Sequence, residues 1–132
     1  MNEAIRAARA VAVAKDATAI IVVPADLARV SAVNLDAFVE ATRGSLERSA
    51  PAAAAGLVAL VPDRHGEGTN ALLVSPPALV EPSFGTASRA VHRAAAVAAG
   101  ALYLEIDGPL TLDVDTGDDL LLAAATMGRP RG

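Results

Sequence analysis

The run Ile20 to Val23, inside "ATAIIVVPAD", constrains this chain more than any other stretch. Four consecutive β-branched residues leave no polar position to face water, and Pro24 closes the run. A continuous apolar run of this kind suits a central strand buried on both faces. "GLVALVPD" repeats the pattern, and "NALLVSPP" repeats it again before paired prolines. Three such strands need helices on both sides of a sheet to cover them.

The helices are legible in the spacing of apolar residues. Met1, Ala4, Ile5, Ala8, Val11 and Ala12 recur with helical period, so the chain opens in a helix. "SAVNLDAFVEATRG" predicts a second, with Ser31 as its N-cap and Gly44 as its stop. "SRAVHRAAAVAAG" predicts a third, closed by Gly100. On it Ala87, Ala90, Val91, Ala94 and Ala98 form an apolar stripe, with Arg89, His92 and Arg93 off the stripe. "ALYLEI" and "LTLDV" read as short strands, and "TGDDLLLAAATMG" as a last helix capped by Thr116. Strands alternating with helices give an α/β domain with a mostly parallel or mixed sheet.

Composition narrows the function classes. The 132 residues fit one domain, spanning 1–132, with 53% hydrophobic residues but only 2% aromatic ones, so the core is aliphatic and rich in alanine. There is no cysteine, which excludes disulfides and thiolate metal sites and suits a reducing cytoplasm. A net charge of −4 with no Trp argues against nucleic acid, because phosphate neutralisation and stacking platforms are both lacking. The apolar run Ala94 to Leu104 is too short for a membrane span, which needs about 20 residues. The expectation is a cytoplasmic protein with no membrane and no nucleic-acid partner.

Carboxylates follow the strands. In open α/β sheets ligands sit beyond the carboxyl ends of strands. Asp26 follows "AIIVVPA", and Asp113 and Asp115 form a D-x-D after "LTL". If Leu112 and Val114 face the core, alternation puts Asp113 and Asp115 on the other face. Converging carboxylates repel one another unless a divalent cation is present, and Mg²⁺ prefers such oxygen ligands. Read alone, Asp26 equally ends a turn, and Asp113 to Asp119 equally forms a solvated, helix-capping acidic run.

Two stretches offer an anion site. In "DRHGEGTNAL", Gly66 and Gly68 permit a tight turn that presents N–H groups, and Thr69 adds a hydroxyl. "EPSFGTASRAVHRAA" leads through Gly85 into a helix whose first turn holds Ser88, where free N–H groups and the dipole favour an anion. Arg89 and Arg93 would raise the local potential. The plainer readings are a hairpin turn between two strands and an ordinary helix start. His65 reads as a loop histidine and His92 as a solvated helix residue; with these two alone and no cysteine, zinc is not expected.

Taken in order, "VVPADL", "DRHGEGTNALLVSPP", "FGTASRAVH" and "LDVDTGDDL" resemble the 2-phospho-L-lactate or phosphoenolpyruvate guanylyltransferases of coenzyme F420 biosynthesis. The resemblance runs through nearly the whole chain. It implies a MobA-like nucleotidyltransferase fold, a Rossmann-like three-layer sandwich. It implies transfer of GMP from GTP to phosphoenolpyruvate or 2-phospho-L-lactate, with Mg²⁺ present and pyrophosphate leaving. On that resemblance Asp26, Asp113 and Asp115 hold the metal, with Asp26 and Asp115 catalytic, and Thr69, Gly85 and Ser88 hold the acceptor.

The chain departs from the family's pattern at Ala28, Glu67, Thr86 and Ala87, and Glu67 places a negative charge beside the proposed anion site. It also matches the family only from a helix near the family's middle. The fold is therefore expected to be incomplete at the N-terminus, corresponding to the C-terminal, acceptor and metal part. GTP would then bind only with the remaining part supplied. The run "AIIVV" would lack its flanking strands, and an open apolar strand pairs with something. A homo-oligomer or a second chain covering the sheet edge is the expectation. The competing function is a non-catalytic fragment or paralogue that binds a phospho-acid or packs on a partner. Another MobA-like transferase, of molybdenum-cofactor metabolism, fits "GTNAL" and "FGTAS" less well.

Overall fold

The computed structural model describes residues 2–24, 32–49, 56–63, 65–85, 87–107 and 120–125. In chain order these form α1 (Asn2–Ala14), β1 (Ala19–Pro24), α2 (Ala32–Ser49), β2 (Leu57–Pro62), β3 (Thr69–Ser75), α3 (Ser88–Ala99), β4 (Leu102–Glu105) and β5 (Leu120–Ala125). The five strands make one mixed sheet in the order β4-β2-β3-β1-β5. Only β2 and β4 pair in parallel; the other three pairings are antiparallel.

The apolar runs behave as their composition requires. Every residue of β2 is buried, and so are Ala19 to Val23 of β1 and Thr69 to Val74 of β3. Side chains alternate across the sheet and feed two cores. On one face Ile21, Val23, Ala59, Val61 and Leu73 pack with Phe38, Leu35 and Val39 of α2. On the other Ile20, Val22, Val58, Leu60, Leu72 and Val74 pack with Ile5 and Ala12 of α1 and Ala96 of α3. The result is three layers, with α2 on one face and α1 and α3 on the other. Each fully buried Val, Leu or Ile contributes about 1.5–3 kcal/mol, so these two faces carry most of the stability.

Four expectations are corrected. The run "AIIVV" is not an open edge: β1 lies between β3, through Ile20–Val74 to Val22–Leu72, and β5, through six register pairs from Ala19–Ala125 to Pro24–Leu120. The stretch Leu120 to Ala125 is that strand and not part of a helix, because pairing with β1 overrides the helix preference of leucine and alanine. Gly44 does not stop α2, which continues to Ser49. A single glycine inside a helix costs only about 1 kcal/mol relative to alanine, less than the packing of the elements around it returns.

The fourth correction concerns α3. Its buried residues are Ser88, His92 and Ala96. Ala87, Ala90, Val91, Ala94 and Ala98, the expected apolar stripe, are exposed. The helix is amphipathic in the opposite sense because alanine occupies every side, and His92 supplies more buriable surface than any single alanine. Gly100 closes the helix in the left-handed conformation (φ 74°), as expected. The N-cap reading of Ser31, the strand "LTLDV" and the Thr116 cap lie outside the described residues.

Candidate functional site

Strand directions bring five chain segments to one end of the sheet. Because β1, β2 and β4 run the same way and β3 and β5 run opposite, the ends of β1, β2 and β4 lie beside the starts of β3 and β5. At this end the β2–β3 connection meets the first turn of α3. Parallel strands feeding helices usually bind ligands here.

The connection is a hairpin loop folded around Asp63. The Asp63 carboxylate accepts the N–H of His65 at 3.1 Å and of Glu67 at 3.2 Å, while its carbonyl accepts the Gly66 N–H at 3.0 Å. Gly66 sits at φ 80°, a conformation that costs glycine nothing. A side chain at Gly68 would meet Asp63 Oδ2 at 2.5 Å, so only glycine leaves room for that carboxylate. The backbone donors of residues 65, 66 and 67 are thus spent within the loop, and the loop does not present them to an outside anion. The hairpin reading of this stretch holds.

Arg89 fastens the loop to the helix. Its backbone N–H donates to the Glu67 carbonyl at 3.0 Å, satisfying one of the donors left unpaired at a helix start. Its guanidinium donates to the Gly66 carbonyl at 2.7 Å and to both oxygens of Glu105 at 2.6 and 2.8 Å. Tyr103 donates its hydroxyl to the same carboxylate at 2.7 Å. The Arg89 hydrogen bond holds Glu105 down at about 2, against the burial that would raise it, with Tyr103 adding to the lowering. Burial first, then Glu105, pushes the Tyr103 phenol up. Arg89 is therefore a structural tie and not a free cation at the site. Arg93, by contrast, is exposed and has no hydrogen-bond or ion-pair partner among the described residues. It lines an open groove of about 500 Å³ together with Gly66, Glu67, Ala87, Arg89 and Ala90. Glu67 is exposed.

Beside this groove lies a buried polar cluster. Thr69, the first residue of β3, and Ser88, the first of α3, are 7% and 1% exposed. Their hydroxyl oxygens stand 2.8 Å apart. His92, one turn along α3, is fully buried, with Nδ1 3.1 Å from Thr69 Oγ1 and Nε2 accepting the Ser83 N–H at 2.9 Å. Phe84 meets its ring edge-on, 5.4 Å between centroids. Burial lowers the His92 imidazole to about 4. The expectation of a solvated helix residue is thus corrected.

Of the six proposed site residues, Thr69 and Ser88 are in direct contact. Gly85 lies three residues before Ser88, exposed, at φ 145°, and its carbonyl accepts the Ser88 N–H at 3.2 Å. Asp26, Asp113 and Asp115 lie outside the described residues. No group of three or more histidines and carboxylates capable of holding a metal occurs among the described residues. Sequence reasoning missed His92 and Glu105. The signal for His92 was its i, i+4 spacing from Ser88, a second polar residue.

No family model matches the chain. Curated proteins do. The phosphoenolpyruvate guanylyltransferase of Sphaerobacter thermophilus is 38% identical over 122 residues, 91% of this chain and 53% of that protein. The protein of the same name from Rubrobacter xylanophilus is 32% identical over 136 residues, 99% of this chain and 61% of that protein. The chain is a homologue of the phosphoenolpyruvate guanylyltransferases. A third, from Conexibacter woesei, reaches 46% identity over a shorter stretch of 83 residues, 62% of this chain and 37% of that protein. The chain spans from just over half to about three fifths of the length of the two guanylyltransferases that it matches along most of its own length. No helix among the described residues is long and apolar enough to cross a membrane.

Proposed function

We propose that this chain carries the acceptor and metal side of a guanylyltransferase of coenzyme F420 biosynthesis, in a MobA-like nucleotidyltransferase fold. It would act on GTP and either phosphoenolpyruvate or 2-phospho-L-lactate. One observation carries the reading: similarity to guanylyltransferases over 91–99% of the chain. The sheet end where Thr69 meets Ser88 supports it.

In the reaction a phosphate oxygen of the acceptor attacks the α-phosphorus of GTP; that O–P bond forms as the bond to pyrophosphate breaks. Such transfer depends on positioning and charge neutralisation, so it needs carboxylates and donors and no triad. Thr69, Gly85 and Ser88 would hold the acceptor. Asp26, Asp113 and Asp115 would hold Mg²⁺, which suits an all-oxygen donor set and offsets the charge of the triphosphate. The protein would work in the cytoplasm, with the GTP side supplied from outside these 132 residues.

A second reading is a non-catalytic phospho-acid-binding or partner-packing protein. It is favoured by the mutual engagement of the Thr69 and Ser88 hydroxyls. The two separate in one assay. Mixing the chain and the GTP-side part of a relative with GTP, Mg²⁺ and either acceptor should release pyrophosphate and yield a guanylylated phospho-acid by mass spectrometry. Ligand binding without either product would favour the second reading.

A further inference from the structure

We infer that His92 is a positioning residue: its protonated Nδ1 donates to Thr69 and fixes that hydroxyl, paired with Ser88, where an anionic ligand would meet it. The ligand part rests on the proposed function; the hydrogen-bond direction does not.

The backbone N–H of Ser83 can only donate. It lies 2.9 Å from His92 Nε2, so that nitrogen carries a lone pair. A neutral imidazole with a bare Nε2 has its proton on Nδ1. Nδ1 is 3.1 Å from Thr69 Oγ1 and therefore donates to it. Having accepted there, Thr69 Oγ1 keeps one lone pair and its proton for Ser88 Oγ at 2.8 Å and for a ligand. The edge-on Phe84 ring, inclined at 67°, packs against the imidazole in this orientation. The chain of donors thus runs from Ser83 to His92 to Thr69, whose hydroxyl pairs with the first residue of α3.

Imidazole ¹⁵N correlation spectroscopy of the chain, with His65→Gln to assign the signals, reads the tautomer directly. Expected is the Nδ1-protonated, neutral pattern from about pH 5.5 to about pH 7.5. An Nε2-protonated or charged His92 in that range overturns the inference. Calorimetric titration of phosphoenolpyruvate with Mg²⁺ tests the consequence. His92→Asn keeps a donor near Nδ1 and should bind as wild type does, while His92→Gln keeps only the outer group and should bind about tenfold more weakly, the worth of one hydrogen bond. Equal losses in both variants, following their stabilities, would make His92 a packing residue and overturn the inference. If the wild-type chain shows the expected tautomer but binds neither phosphoenolpyruvate nor inorganic phosphate, the proposed acceptor falls while the hydrogen-bond direction stands.

Discussion

Arg89 and Glu105 meet in a two-pronged ion pair, Nε to Oε2 at 2.8 Å and Nη2 to Oε1 at 2.6 Å, that joins the first turn of α3 to the end of β4. The third guanidinium nitrogen reaches the Gly66 carbonyl, so one side chain ties a helix, a strand and a loop. Lysine has a single ammonium and cannot reproduce this fork. Arg89→Lys should therefore lower stability nearly as much as Arg89→Ala does. Urea unfolding checks it; full retention of stability by the lysine variant would show that only the charge matters.

The loop makes its own prediction. A methyl group at Gly68 meets the Asp63 carboxylate that holds the His65 and Glu67 N–H groups. Gly68→Ala should destabilise the chain by about 1–3 kcal/mol through that clash. In Asp63→Asn the same methyl meets an amide of equal size, so the clash should persist. In Asp63→Ala the penalty of the alanine at 68 should vanish. A double-mutant cycle by chemical denaturation measures it.

How much of this was legible beforehand differs by element. β1, β2 and β3 announced themselves because a run such as Ile20 to Val23 has no polar side and ends at proline. β5 did not, since "LLLAAA" suits a helix until β1 is there to pair with it. The face of α3 was hidden by its alanines, which suit burial and exposure alike. The stretch "DRHGEGTNAL" showed glycines and donors but not that Asp63 consumes those donors. Thr69 and Ser88 were found as polar residues at element starts. Their partner His92 was assigned to water because a lone histidine between two arginines resembles a solvated face.

His92 also fixes a pH dependence. Its folded value of about 4 lies below the ordinary 6.5, so the unfolded chain takes up a proton that the folded chain refuses. Stability is unaffected by this group above 6.5, falls as the pH drops from 6.5 to 4, and levels off below. The total loss from this residue is roughly 3 kcal/mol, at 1.36 kcal/mol per pH unit. Glu105, lowered to about 2 from 4.5, adds stability above 4.5 that is lost as the pH falls through about 2. Denaturant melts at pH 7, 5.5 and 4.5 should show the first slope, and His92→Gln should flatten it.

The metal assignment is tested separately. Asp115→Asn should abolish the Mg²⁺ dependence of ligand binding, and with it the thermal stabilisation that Mg²⁺ and phosphoenolpyruvate give together. At a hundredfold excess over the dissociation constant that stabilisation is about 2.7 kcal/mol. An unchanged Mg²⁺ dependence would make Asp115 part of an acidic cap instead.

The most direct test of the central claim, that the Thr69–Ser88 end of the sheet is the acceptor site, is calorimetric titration of phosphoenolpyruvate into the folded chain with Mg²⁺, in wild type, Ser88→Ala and Arg6→Ala. Arg6 pairs with Glu81 on an exposed surface outside the proposed site and serves as the control. The account predicts saturable binding by wild type and Arg6→Ala, and loss of about tenfold or more in affinity for Ser88→Ala. Equal affinity in Ser88→Ala, or no binding by a folded wild-type chain, would contradict it.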